Sequence, residues 1–174
     1  MAAANAPSSL QEPWLRGTHT DIDAITRAVL HALELAEEDA ARWCGGLTDN
    51  EMNSRPHGIA PVAFHLRHIA RSLDRLLTYA EGAQLDAAQI AALKSELDAG
   101  GIAEDVMREL RAGLHSAITR VLLIAADQFN TPRTVGRAQL PTTVGGLLVH
   151  CADHTQRHIG QAITTAKIVI AMRG

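Results

Sequence analysis

Apolar residues recur three and four positions apart along most of the chain, and no segment alternates convincingly between apolar and polar residues. This spacing places apolar side chains on one face of an α-helix. It predicts four long helices. The first three cover about residues 21–44, 60–80 and 103–129, and the fourth begins after 141–143 and ends near residue 170. The apolar stripes of the first three are Ile22, Ile25, Val29, Leu33, Ala36, Ala40 and Trp43; Val62, Leu66, Ile69, Leu73, Leu76 and Ala80; and Val106, Leu110, Leu114, Ala117, Val121 and Ile124. The pattern predicts an all-α four-helix bundle.

The connections between these helices differ in length. Between the second and third helices lies a link of roughly twenty residues, which is long enough to cross a bundle, so these two helices need not be antiparallel neighbours. An alanine-rich stretch of this link, 86–97, can form a short helix. Segment 131–141 contains two prolines and a glycine and is predicted to be a loop.

Composition narrows the class of protein. The 174 residues suffice for one domain, which we place at 13–174, after a flexible N-terminal arm at 1–12. A net charge of −3 and an aromatic content of 3% argue against nucleic-acid binding. No apolar stretch approaches the ~18 residues of a membrane span, and the first residues do not resemble a signal peptide. We therefore expect a cytoplasmic protein that does not bind membranes.

Nine histidines are the unusual feature of the composition. His150, His154 and His158 recur every four residues and share one face of the fourth helix. Leu147, Cys151, Gln161 and Ile168 fall on the same face, which predicts that it points inward. Imidazoles inside a bundle need partners for their nitrogens, and a metal ion is one such partner. The same spacing also arises by chance on exposed helices, so the pattern alone leaves both interpretations open.

A second pair, His65 and His68, lies beside the apolar stripe of the second helix. Metal sites in helix bundles draw ligands from facing helices, so two ligands from one helix and one from another are a common solution. By helical periodicity His65 is closer to the centre of the stripe than His68. The remaining histidines have no such context and are predicted to be surface or cap residues: His19, His31, His57 and His115.

Two segments resemble motifs of the DinB-like family of metal-dependent enzymes. Segment 64–72, FHLRHIARS, is similar to the family's second-helix motif, and segment 150–161, HCADHTQRHIGQ, to its fourth-helix motif. The resemblance covers roughly residues 13–170. It implies a four-helix bundle with a long crossover between helices 2 and 3, and a divalent metal ion, zinc or nickel, held by three histidines. By motif position these ligands are His68, His154 and His158. Family members are often dimeric, so a homodimer is expected.

Five further residues are candidates for the surroundings of this site. His65 would be an alternative ligand or would orient one, and His150 would line the pocket or extend the ligand set. Cys151 can bind a soft metal or act as a small buried hydrophobe. Gln161 would orient a ligand or be a satisfied interior amide. Trp14 would cover the mouth of the site or serve in packing.

Three histidines leave a divalent ion with an open position, which is typical of catalytic sites. One chemistry is that of a thiol-dependent transferase, in which the metal activates a low-molecular-weight thiol against a small-molecule substrate. An alternative is a hydrolase that uses metal-bound water, and a further alternative is a non-catalytic metal-binding bundle. The sequence shows no convincing general base, because Asp74 and Asp153 project away from the predicted inner faces. This absence favours thiol transfer.

Overall fold

Four long helices carry the fold. The structure, a computed structural model, describes residues 11–96 and 100–173. Its helices are α1 (Ala24–Cys44), α2 (Asp49–Asn53), α3 (Val62–Ala80), α4 (Ala87–Lys94), α5 (Ala103–Leu122) and α6 (Val144–Ala171), with short 3₁₀ turns at Pro13–Leu15, Pro56–Gly58 and Ala126–Gln128. The long helices α1, α3, α5 and α6 are those predicted from the sequence, and the all-α four-helix bundle is confirmed. Most of the predicted N-terminal arm, 1–10, lies outside the described residues, and the domain boundary stays a prediction.

Local signals set the helix ends. Asp23 caps α1, because its Oδ1 accepts hydrogen bonds from the backbone N–H groups of Ile25 and Thr26, each at 2.9 Å. Helix α1 therefore begins three residues later than expected. Thr143 caps α6 in the same way through the N–H of Gly146. Helix α5 ends at Leu122 rather than near residue 129, and a separate 3₁₀ turn follows at Ala126–Gln128.

Contacts between side chains show that α1 and α6 are parallel. The Gln156 amide donates to the carbonyl of Ala32 at 2.7 Å, and farther along both helices the Lys167 ammonium lies 4.1 Å from the ring centroid of Trp43. The ring order around the bundle is α1, α6, α3, α5.

Helices α3 and α5 are also parallel neighbours. Arg71 pairs with Glu109 near the start of α5, and Glu81, just past the end of α3, pairs with Arg120 near the end of α5. The link between them, which contains α4, therefore returns along the length of the bundle. This is the crossover expected between the second and third long helices.

A β-hairpin replaces the loop predicted at 131–141. Strands β1 (Pro132–Val135) and β2 (Leu140–Thr143) pair antiparallel, with Pro132 opposite Thr143 and Val135 opposite Leu140. The prediction of a loop was wrong because it rested on the prolines. A two-stranded ribbon has only edge strands, where proline is tolerated.

Gly113 allows α5 to approach α3 closely. A Cβ atom at this position would lie 2.6 Å from the Cβ and 2.9 Å from the Cα of Ala70. Such contacts cannot be accommodated without separating the two helices. In contrast, a Cβ at Gly160 on the exposed side of α6 would have no neighbour within 4 Å.

We expect Gly113→Ala to lower the free energy of unfolding by about 1–3 kcal/mol, the usual penalty for overpacking a core. The matched variant Gly160→Ala should raise it by about 0.5–1 kcal/mol, because alanine loses less backbone entropy than glycine in a helix. Urea denaturation followed by circular dichroism measures both. A Gly113→Ala protein as stable as the unsubstituted one would contradict the close packing of α3 and α5.

No helix within the described ranges combines the length and the apolar character needed to cross a membrane.

Candidate metal centre

Three histidines from two antiparallel helices meet at one edge of the bundle. His68 lies on α3, and His154 and His158 lie one turn apart on α6. One ligand atom of each lies within 4.8 Å of the other two, and the Nε2 atoms of His68 and His154 are 3.2 Å apart. The ring centroids of His154 and His158 are 4.6 Å apart. The structure thus brings together the three residues singled out by the family motifs.

Glu96 orients His68 and was missed by the sequence analysis. Its Oε2 lies 2.7 Å from Nδ1 of His68, and its Oε1 accepts a hydrogen bond from Arg75 at 2.6 Å. The Glu96 carboxylate is only 5% exposed. Burial alone would raise its pKa, but the hydrogen bonds from His68 and Arg75 outweigh that effect and the pKa lies below its usual value. Glu96 is therefore an ionised acceptor, and His68 must carry its proton on Nδ1.

The tautomer of His68 directs its other nitrogen to the cluster. With Nδ1–H donating to Glu96, Nε2 of His68 has a free lone pair that faces His154. A carboxylate that holds a histidine in this way is typical of metal sites. Nothing near Glu96 in the sequence indicates this role, since it lies 28 positions from His68 in the crossover link.

His65 lies directly behind His158. The two Nδ1 atoms are 3.1 Å apart, so one ring donates to the other, and His65 is only 6% exposed. The Phe64 ring stacks on His68 with centroids 5.3 Å apart and an interplanar angle of 18°. The segment 64–68 therefore supplies His68 to the cluster, together with the neighbouring imidazole of His65 and the aromatic ring of Phe64.

Three imidazoles at this site, those of His65, His154 and His158, have pKa values well below neutral. Burial, followed by the neighbouring histidines, lowers the pKa of His65 and of His154 to about 4. Burial, then electrostatic repulsion between neighbouring imidazoles, lowers the pKa of His158 to about 4. Neutral imidazoles keep the lone pairs that a metal ion requires. The donor set therefore fits a divalent cation.

Two of the other candidate residues do not have the positions expected for them. Gln161 is exposed, so the prediction that it points inward was wrong. The buried face of α6 is centred near Ala162 and Ala166. Gln161 immediately precedes Ala162, and one residue corresponds to a rotation of about 100° around the helix axis, so its side chain points away from that face. Trp14 lies on a cavity beside α1 whose lining includes none of the three histidines of the cluster. It does not cover the mouth of this site.

Cys151 and His150 flank the triad in different ways. Cys151 is completely buried within the hydrophobic core. His150 is exposed, with its ring centroid 5.4 Å from that of His154 and its Nδ1 3.9 Å from a carboxylate oxygen of Asp153. The close group of donors contains neither of them.

The histidines without motif context divide into two groups. His115 and His57 are exposed, as predicted. His31 is only 8% exposed and belongs to a second group of close donors with His19 and Glu34, so the prediction that it is a surface or cap residue was wrong. The sequence signal was weak, because His31 lies beside the apolar stripe of α1 without a second histidine on that helix.

Neither cysteine should react as a thiolate in the folded protein. Burial raises the pKa of Cys44 to about 11 and that of Cys151 to about 12, and both side chains are inaccessible. We expect a chromogenic disulfide reagent at pH 8 to label neither thiol until guanidinium is added, when both react. A thiol that reacts rapidly in the native protein would contradict the packing described around these residues.

Comparisons with known proteins agree with this fold. A model of the DinB superfamily matches residues 32–162. The structure is similar to the crystal structure of the conserved protein of locus from Enterococcus faecalis, with a TM-score of 0.71 and 19% identity over 86% of this chain and 99% of that one. At this identity the similarity shows the fold alone. No sequence among the curated proteins is significantly similar to the chain. Since the family model spans most of the chain and all three clustered histidines, the chain belongs to the DinB superfamily.

Proposed function

We propose that the protein is a metal-dependent enzyme in which His68, His154 and His158 hold one divalent ion, zinc or nickel, for thiol-dependent transferase chemistry. The observation that carries this proposal is the convergence of three ligand atoms within 4.8 Å, one of them oriented by a buried carboxylate.

Each ligand nitrogen follows from its partners. Glu96 accepts the Nδ1 proton of His68 and leaves Nε2 as the donor. His65 contacts Nδ1 of His158, which leaves Nε2 of His158 for the ion. His154 contributes Nε2, the atom that faces His68. Three imidazole ligands, one of them oriented by the buried Glu96 carboxylate, make a site that retains a divalent ion.

The ligand count supports catalysis over a purely structural role. Structural zinc sites are normally closed by four protein ligands, whereas catalytic sites have three. Within the described residues, the close group around His68 has three members. Cys151, the residue able to supply a soft fourth ligand, is enclosed in the core instead.

The position of the acids favours a thiol over water as the nucleophile. When bound, the ion supplies a Lewis-acid centre with an open position that stabilises a thiolate. Glu96 already accepts hydrogen bonds from His68 and Arg75, and Asp153 is exposed and paired with Arg157 at 2.5 Å. Neither carboxylate is free to take a proton from water, whereas a small thiol loses its proton to bulk solvent.

A titration of cobalt-substituted protein with cellular thiols tests the proposal. In a Glu34→Gln background, which removes a donor from the separate group of His19, His31 and Glu34, glutathione, cysteine and related thiols should shift the d–d and charge-transfer bands of the cobalt protein and of its His115→Ala variant, but not of its His154→Ala variant. Spectra that no thiol moves would overturn thiol transfer, and ester or amide turnover in the same samples would then identify a hydrolase.

A homodimer is also part of this proposal. The molecular mass from sedimentation equilibrium should be twice that of the chain over a range of protein concentrations. A monomer mass that does not change with concentration would contradict it.

A further inference from the structure

We propose that His19, His31 and Glu34 form a second site for a divalent transition-metal ion, at the N-terminal part of α1. One ligand atom of each residue lies within 4.8 Å of the other two. His31 and Glu34 are three residues apart on α1 and share a face, and His19 reaches them from the segment that precedes the helix. This site uses none of the residues of the first metal centre.

The distances in this cluster are close to those that a metal ion needs. Nε2 of His19 lies 2.7 Å from Oε1 of Glu34, and the rings of His19 and His31 have centroids 5.5 Å apart. Two donors each about 2.1 Å from a tetrahedral ion are separated by about 3.4 Å. The His19–Glu34 pair must therefore open slightly, and no pair, being within 4.8 Å, must close by more than about 1.4 Å. The side chains of His19 and Glu34 are each about one-third exposed and have room to adjust.

The donor types suit zinc and similar ions. Two imidazoles and one carboxylate form the ligand set of many open zinc sites. His31 is nearly buried, which makes it the fixed member, and the Thr18 hydroxyl lies 3.0 Å from its Nε2. A hydroxyl can donate or accept, so Thr18 can hold the ring in place whichever nitrogen carries the proton.

A structural ion pair between His19 and Glu34 is the competing explanation. However, Arg16 already attaches the same segment to α1 through its pair with Glu38 at 2.5 Å. His19 also adopts a φ of +57°, a conformation that is unfavourable for residues other than glycine and that clusters at functional sites. The need to attach this segment to α1 therefore explains the pair that Arg16 forms. It does not explain why the three possible metal ligands lie close together.

An adjoining cavity leaves room for a further ligand. It has a volume of about 550 Å³ and is lined by His31, Thr18 and Arg27, with apolar side chains from α1 and Trp14. An ion held by three protein ligands has a position to spare, and the Arg27 guanidinium favours an anionic group beside it. The ligand class that fits is a small molecule with a carboxylate or phosphate and an apolar part.

The test is the number of ions bound by the intact 174-residue chain. Metal-free samples are dialysed against zinc and analysed by mass spectrometry, with circular dichroism as the check on folding. The unsubstituted protein should bind two ions per chain, and His19→Ala and Glu34→Gln should each bind one. His154→Ala should also bind one, and His154→Ala combined with Glu34→Gln should bind none.

Two matched controls separate metal binding from other effects. Glu38→Gln breaks the attachment by Arg16 without removing a donor, and His115→Ala removes an exposed histidine that pairs with Glu37. Both should keep two ions.

The outcomes also separate this inference from the proposed function. One ion that His154→Ala loses and Glu34→Gln retains would overturn the second site alone. One ion that Glu34→Gln loses and His154→Ala retains would overturn the first centre and support the second. Protein that binds no zinc would overturn both.

Discussion

Replacing His154 by alanine is expected to lower the affinity of the first centre for zinc by more than about 100-fold, since losing even a residue that only orients a ligand costs about 10–100-fold. His154 connects the cluster, with its Nε2 3.2 Å from that of His68 and its ring 4.6 Å from that of His158. Without it, only two donors on different helices remain. Competitive titration with a chromogenic chelator, in a Glu34→Gln background that removes the second site, measures the affinity.

The control is His115→Ala. The His115 side chain is 64% exposed and pairs with Glu37 at 3.0 Å, away from the cluster. Its removal should leave zinc affinity unchanged. Equal affinity in the His154→Ala and His115→Ala proteins would show that the ion is not held by His68, His154 and His158.

Replacing Glu96 by glutamine is expected to weaken both metal binding and folding. The amide of glutamine is a weaker acceptor for the Nδ1 proton of His68, so zinc affinity should fall by about 10–100-fold. The same change leaves Arg75, whose side chain is 11% exposed, without its charged partner at 2.6 Å. Removing one member of a buried ion pair costs about 3–5 kcal/mol. Chelator competition measures the affinity, and urea denaturation of the metal-free protein measures the stability.

Asp105→Asn is the matched control for this second prediction. Asp105 pairs with Arg108 on α5, and both side chains are about half exposed or more. Exposed pairs contribute about 0–1 kcal/mol, so this variant should keep nearly all of its stability and all of its zinc affinity. A Glu96→Gln protein that behaves like Asp105→Asn would mean that Glu96 neither orients His68 nor compensates the charge of Arg75.

The long helices could be predicted because each has a continuous apolar stripe. Periodicity located α1, α3, α5 and α6 to within a few residues, except for the end of α5. It did not predict the hairpin at 132–143 or the short helix α2. These elements are too brief for a period to be visible, and the prolines of the hairpin indicate a loop when pairing is unknown.

The orientation of side chains at the margins of a stripe could not be predicted in the same way. Gln161 and His150 share a face with His154 by helical arithmetic, yet both are exposed. His31 was expected at the surface and is buried. Periodicity defines a direction around one helix, but the width and centre of the buried face depend on which neighbours cover it.

The sequence by itself determined the helical class and, through the two histidine motifs, the three residues that converge on one point. Only the tertiary structure decided which distant segments of the chain bring partners to the histidines. Glu96 reaches His68 because the crossover returns alongside α3, and His19 reaches Glu34 because the N-terminal segment folds back on α1. Both contacts join residues from different segments of the chain. A local sequence pattern indicates the conformation of its own segment, but it does not indicate how close that segment lies to another segment.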